Sequence, residues 1–259
     1  MLPSNQYSFQ LFSSRAGDLD AQFALLGTLG YTDVQPFFFA PPENHDAIDA
    51  QIALMQHYGM TAESGHFKLS MFDDGPDLVA GIAKKYGMWL VVVPWIEPED
   101  RPTTREGWQA IGARLEQISD EMAARGLTFA YHNHEFEMEP LPDGSFPITH
   151  LLGEKVAFEP DLAWIAVAGQ DPAEWLDKYA GRIPAVHVKD IAPAGECLDE
   201  KGFADLGHGV MDWDRLWPLS CAAGSRLMVV EHDLPNDWRR FATRAMASLQ
   251  RLAQTEIAK

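Results

Sequence analysis

Eight short apolar runs recur along the chain, at Tyr7 to Phe12, Asp33 to Phe37, Thr61 to Ser64, Trp89 to Val93, Thr128 to Asn133, Val156 to Pro160, Ala185 to Lys189 and Leu227 to Glu231. Their length is that of strands. Amphipathic stretches at helical period lie between them, at Asp18 to Gly30, Asn44 to Tyr58, Pro76 to Tyr86, Thr104 to Arg125, Pro172 to Tyr179, Trp213 to Ala223 and Asp237 to Ala253. Strands that alternate with helices pair in parallel. Eight such units in 259 residues predict an α/β fold, a single (β/α)8 TIM barrel, which commonly takes about 250 residues.

The punctuation agrees with this reading. Gly30, Gly59, Gly87 and Gly126 each follow a helical pattern, where a left-handed residue closes the helix before the chain turns into a strand. The segment Ile191 to Val210 breaks the rhythm with Pro193, Gly195, Gly202, Gly207 and Gly209, and predicts a long loop at the strand ends, where barrels carry their function. No linker, low-complexity tract or short repeat interrupts the pattern, so residues 1–259 are read as one barrel domain.

Charge narrows the partners. With 38 acidic against 20 basic residues the formal charge is −18, which repels nucleic-acid phosphates and anionic membrane surfaces. The expected partner is a small molecule, with no nucleic acid and no membrane, and a homodimer stays open. Cys197 and Cys221 give no disulfide framework, the start carries no signal-like leader, and no apolar run reaches the roughly 18 residues of a membrane span. A cytoplasmic location is expected.

In a parallel barrel the carboxyl ends of the strands meet at one mouth. Four successive runs end there in His132, Asp161, His187 and Glu231. Two carboxylates and two imidazoles suit a divalent metal, manganese or cobalt first, with zinc or magnesium as alternatives. Alternation puts His132 and His134 on one face, with Asn133 on the other. Asp161 could instead cap the next helix. Glu159, two residues back, should sit deeper in the barrel and ranks below Asp161 as a ligand. His187 and Lys189 share a side, so the Lys189 ammonium could neutralise an anionic oxygen near the metal; the plain alternative is a surface pair with Asp190. Glu231 closes a buried strand, where a carboxylate is costly unless paired or metal-bound. His66 could orient substrate, Trp95, Trp164 and Phe38 could wall a sugar pocket, and Glu135, Glu137 and Glu139 read as loop surface.

Taken in order, Tyr131-His132-Asn133-His134, Asp161-Leu162-Ala163-Trp164 with Ala168-Gly169-Gln170-Asp171-Pro172, Gly181-Arg182-Ile183-Pro184 before His187-Val188-Lys189-Asp190, Gly207-His208-Gly209 with Asp212-Trp213, and Glu231-His232-Asp233 resemble the sugar phosphate isomerase/epimerase family of xylose isomerase-like barrels. The resemblance spans nearly the whole chain. It implies a divalent metal held by His132, Asp161, His187 and Glu231. His132 stands where many relatives have Glu, the ligand that in ketose 3-epimerases is also acid/base partner to the last Glu. The Tyr-His-x-His sequence is similar to inosose dehydratases, which eliminate water from a keto-inositol.

The resemblance implies a sugar isomerase or epimerase that abstracts the proton alpha to a carbonyl of a keto-sugar or polyol, passing through an enediolate that the metal stabilises. Glu231 or His132 would move protons, Lys189 and His134 would bind oxygens, and His66 and Trp164 would contact substrate. Loss of a beta-hydroxyl from the same intermediate would make the enzyme a dehydratase. Two other classes stay open: a non-catalytic sugar-binding barrel, and the superfamily's abasic-site endonucleases, which need a basic DNA face that the charge of −18 argues against.

Overall fold

The structure is a computed structural model that describes residues 6–41, 45–73 and 75–257. Eight strands form the barrel: β1 (Gln6–Gln10), β2 (Asp33–Gln35), β3 (Ser64–Phe67), β4 (Leu90–Val93), β5 (Thr128–His132), β6 (Ala157–Glu159), β7 (Ala185–Val188) and β8 (Leu227–Val230). Each pairs in parallel with its neighbours, β7 with β8, β8 with β1 and β1 with β2, then β3 through β6 in order. Two seams complete the ring. At one, Asp33 bridges Thr61 and Phe37–Phe38, just past β2, pairs with β3. At the other, Asp161 bridges His187.

Nine helices are described: α1 (Leu19–Leu29), α2 (His45–His57), α3 (Pro76–Tyr86), α4 (Arg105–Ala123), α5 (Pro147–Leu152), α6 (Leu162–Val167), α7 (Pro172–Lys178), α8 (Trp213–Ala222) and α9 (Trp238–Ile257). Several start on a side chain that accepts an otherwise orphaned backbone N–H: Asp18 from Ala21, Thr104 from Gly107, Asp171 from Ala173 and Asp212 from Arg215. The four glycines expected at helix ends all have left-handed backbone, with φ of 97°, 74°, 78° and 77° at Gly30, Gly59, Gly87 and Gly126. The periodic pattern did not mark α5 and α6. At six residues each they make under two turns, too short to repeat an apolar face.

Strand alternation divides the interior in two. Leu90, Val92, Ala130, Ala185, Leu227 and Val229 point inward and form a small apolar plug inside the barrel. Their neighbours Val91, Phe129, Val186, Met228 and Val230 point outward, into the larger core between strands and helices. Going up the strands with the same inward parity, the next positions are polar: Gln10, Gln35, His66, His132, Glu159, His187 and Glu231 are all buried. The apolar plug is therefore the floor of a polar mouth.

The segment expected to be a long loop, Ile191 to Val210, is more ordered than glycine and proline content suggested. Asp190–Ile191, at its start, and Phe203–Ala204 form a short antiparallel pair. The Asp190 carboxylate holds the fold of this segment by accepting the backbone N–H groups of Ile191, Gly207, Gly209 and Met211 at 2.8 to 3.2 Å. A Cβ on Gly209 would overlap that carboxylate and the Ile191 carbonyl, which explains glycine there. The Lys189 to Asp190 surface pair does not form.

The tightest helix contact rests on another glycine. Gly112 of α4 lies against the His150 carbonyl of α5, where a Cβ would collide with backbone. Gly112→Ala should therefore cost about 1 to 3 kcal/mol, the usual range for overpacking, by pushing α5 off α4. Urea denaturation with an unchanged midpoint would show that α5 moves freely.

Candidate metal centre and active site

Two tiers of side chains fill the barrel mouth. The lower tier brings together His66 from β3, His132 from β5, Glu159 from β6 and His187 from β7. Glu159 Oε1 is its centre, 2.6 Å from His66 Nε2, 3.1 Å from His187 Nε2 and 3.5 Å from His132 Nδ1. Glu159 Oε2 accepts from Gln35 Nε2 at 2.9 Å, and Gln35 Oε1 accepts from Gln10 at 2.6 Å and faces His187 Nε2 at 2.8 Å. The upper tier, one inward step further along the chain, holds Asp161, Lys189, Glu231 and Asp233. Lys189 Nζ lies 2.8 Å from Asp161 Oδ2, 3.0 Å from Glu231 Oε2 and 2.5 Å from Asp233 Oδ1. The tiers are joined by His187, whose Nδ1 is 3.0 Å from Glu231 Oε2, and by His132, whose Nε2 is 4.0 Å from Asp161 Oδ2.

Sequence reasoning placed most of these groups, and the structure adds roles. His132, Asp161, His187 and Glu231 bring ligand atoms within 4.8 Å of one another, as the expected metal set requires. Both readings of Asp161 hold at once: Oδ1 accepts from the N–H groups of Ala163 and Trp164 and starts α6, while Oδ2 faces the cluster. Asn133, on the opposite face from His132 as alternation predicts, steadies this turn by accepting from the Asp161 N–H at 3.0 Å. Glu159 is deeper, as expected, but that depth puts it among three imidazoles; counting inward positions rather than strand ends would have found it. Asp233 follows by the same parity from Glu231.

Other expectations are corrected. Lys189 is fully buried and its ammonium turns to three carboxylates rather than to the cavity. Phe38 is in the core, stacked on Phe67, because its side chain points outward from the barrel; Phe37 and Phe39 line the mouth in its place. Glu137 is fully buried rather than loop surface, because the Tyr131 hydroxyl at 2.6 Å and the His134 N–H at 2.8 Å both donate to it. Glu139 is exposed, as expected.

A cavity of 840 Å³ opens above the tiers, lined by His66, His132, His134, Trp95, Trp164 and Glu231 among others. It is large enough for a small polyol. Trp164 Nε1, His134 Nδ1, His132 Nδ1 and Asp161 Oδ2 are buried without a hydrogen-bond partner; for Asp161 Oδ2 the ion pair with Lys189 stands in. Unsatisfied buried donors and acceptors of this kind call for a ligand. Two nitrogens and two oxygens at this spacing fit a divalent ion.

The charges are set by burial and proximity. Burial opposes the charged form of Glu231, yet the adjacent Lys189 and His187 hold its carboxyl well below the ordinary range. Glu159 is likewise held low, against burial, by His187 and His66. Burial works against a charged His187, but Glu159 and Glu231 raise it to about 10. Burial, with His187 alongside, pushes His132 well down, and burial pushes His134 to about 3. The cavity thus presents an ionised carboxylate and neutral imidazoles.

Burial raises the Glu137 carboxyl to about 8 from 4.5. A carboxyl that binds its proton more tightly when folded contributes stability below the unfolded value and loses it as pH rises through the folded one. Glu137→Gln accepts the same N–H and does not titrate. Its denaturation midpoint relative to the unchanged protein should rise from pH 4.5 to pH 8; a pH-independent difference would mean that Glu137 is already ionised.

Known proteins share this architecture. The sequence matches the xylose isomerase-like TIM barrel family over residues 23–240. It is 21% identical over 207 residues to inosose dehydratase of Lacticaseibacillus casei, covering 75% of this chain and 61% of that protein. It is 32% identical over 92 residues to the rhizopine catabolism protein MocC of Rhizobium meliloti, covering 35% of this chain and 28% of that protein. The chain thus spans less than two thirds of either relative. Among solved structures, a sugar phosphate isomerase/epimerase from Parabacteroides distasonis superposes with a TM-score of 0.79 at 19% identity, over 96% of this chain and 94% of that one. The IOLI protein with a bound zinc atom gives 0.71 at 16% identity, over 96% of each chain. A xylose isomerase-like barrel from Mycobacterium smegmatis in complex with magnesium gives 0.71 at 15%, over 97% and 98%. With its eight-stranded parallel barrel and a family match over most of its length, the chain belongs to the xylose isomerase-like TIM barrel family.

Proposed function

We propose that this chain is a metal-dependent enzyme that removes the proton alpha to the carbonyl of a keto-sugar or keto-polyol and then expels a beta-hydroxyl as water. The observation that carries this reading is that the Glu231 carboxylate, held ionised by the adjacent Lys189 and His187, lines the same cavity as the imidazoles of His132 and His134, which burial keeps neutral. A divalent ion held among His132, Asp161, His187 and Glu231 would polarise the carbonyl and balance the charge that develops on its oxygen. The donor set suits manganese or cobalt, and the zinc and magnesium of the structural neighbours support those ions as well.

The protein groups divide the remaining work. Glu231 takes the carbon-bound proton, its ionised form maintained by Lys189 at 3.0 Å. Lys189 acts through the carboxylates it holds, since it has no surface in the cavity. Elimination also needs a proton for the departing hydroxyl, and Glu231, protonated by the first step, would return it there, while the neutral imidazole at position 132 in place of a second carboxylate leaves no second anionic base at that point. His66, His134 and Trp164 line the cavity where substrate hydroxyls would bind, and Trp164 Nε1 is an unused donor. The likeness to inosose dehydratase supports the dehydration branch. Isomerisation or epimerisation is the second reading, supported by the fold shared with a sugar phosphate isomerase/epimerase; there the proton held by Glu231 would return to carbon rather than to oxygen.

Glu231→Gln should keep the fold and lower turnover by about 10² or more, the usual cost of losing a general base. Near-normal turnover would remove Glu231 from the mechanism. The branch is read separately: incubation with keto-inositols and keto-sugars in deuterated water, followed by NMR and mass spectrometry, should give an unsaturated product short of one water. A product of unchanged composition carrying deuterium alpha to the carbonyl would establish isomerisation or epimerisation instead. Complete retention of hydrogen across active substrates, with no partial exchange, would exclude proton abstraction to solvent.

A further inference from the structure

We propose that the lower tier is a metal position in its own right, in which His66, His132, Glu159 and His187 hold a zinc or cobalt(II) ion independently of Asp161 and Glu231. This rests on the reading of the mouth as a metal centre and adds a second position beneath the first. The four side chains come from separate strands, are all buried, and offer ligand atoms within 4.8 Å of one another. Three imidazoles and one carboxylate form an N3O donor set, the kind that borderline ions take in tetrahedral geometry, with ligand distances of about 2.0 to 2.2 Å.

Two further features favour an ion here. His132 Nδ1 is buried, lacks a hydrogen-bond partner and lies 3.5 Å from Glu159 Oε1, directed into the tier. Among the described residues Glu159 is ion-paired with imidazoles alone, whereas the upper carboxylates already contain a cation, the Lys189 ammonium between Asp161, Glu231 and Asp233.

The outer contacts are those of a metal site. Gln35 holds the second oxygen of Glu159 at 2.9 Å, and Glu231 faces His187 Nδ1 at 3.0 Å, an arrangement in which a carboxylate fixes the ring whose other nitrogen binds the ion. Occupation of the lower tier would exchange the contact between His187 Nε2 and Gln35 Oε1 for the metal. His66 and His132 also line the cavity, which gives the ion a way in.

Cobalt(II) is the probe, since its visible absorption reports donor type and coordination number. The purified chain is stripped with chelator, reloaded, dialysed and assayed for bound metal and spectrum, with circular dichroism to check folding. Asp161→Asn with Glu231→Gln disables the upper set; that double variant should still bind one cobalt with an intense tetrahedral spectrum. His66→Asn with Glu159→Gln should lose that spectrum and bind cobalt at least about tenfold more weakly. If the buried Glu159 change prevents folding, His66→Asn alone, at the cavity wall, should show the same loss of spectrum. An upper-tier variant that binds no cobalt, or a lower-tier variant with unaltered affinity and spectrum, overturns the lower site while leaving the upper metal reading intact. Failure of the unaltered chain to bind any divalent ion would overturn both.

Discussion

The structure depends on charge compensation inside the barrel mouth. Glu159, Asp161 and Glu231 are carboxylates with almost no contact with solvent, and an isolated ionised carboxylate in such surroundings costs several kcal/mol even after relaxation. Lys189 and His187 make the arrangement tenable. Each touches two or more of the carboxylates, so removal of either would leave uncompensated buried charge, whereas removal of one carboxylate would leave the others still paired. The same closeness holds the Glu231 carboxyl low while burial leaves His132 and His134 neutral, the charge state that the proposed proton abstraction would use.

Strand parity decides which residues join that cluster. A strand turns alternate side chains inward, and the registers align His132 with Glu159 and His187 with Val229. The inward sequence Ala185, His187, Lys189 therefore climbs from the apolar plug through the lower tier to the upper one, and Leu227, Val229, Glu231 climbs beside it. A one-residue slip of β7 would send His187 and Lys189 out among the helices. The plug beneath, made of Leu, Val and Ala, fixes the height at which the polar layers start.

Much of this was legible in the sequence. Alternating apolar and amphipathic segments, with glycines at helix ends, indicated the barrel, and strand ends indicated His132, Asp161, His187 and Glu231. The missed features share a cause: they depend on relations across strands. Glu159 looked subordinate because its three partners lie on β3, β5 and β7, and nothing near it in sequence announces them. Lys189 next to Asp190 suggested a local pair, but inward and outward parity separates adjacent residues and sends one to the cluster and the other to the loop. Residue type alone points Phe38 at the pocket, whereas position along the strand decides which of Phe37, Phe38 and Phe39 faces it.

Buried polar groups outside the two tiers anchor the segments that follow the strands at the mouth. Asn133 and Glu137 face away from the buried cluster, yet each ties down a segment that carries a residue of the mouth: Asn133 holds the Asp161 backbone, and Glu137 holds the His134 N–H while bonded to Tyr131. Asp190 does the same for the segment through Met211. A hydrogen bond from backbone to a buried carboxylate or amide is costly to break because the freed group stays desolvated. Such anchors hold the cavity groups in place, and under the proposed mechanism that preorganisation would let fixed dipoles and charges stabilise a developing oxyanion without reorganising at the moment of reaction.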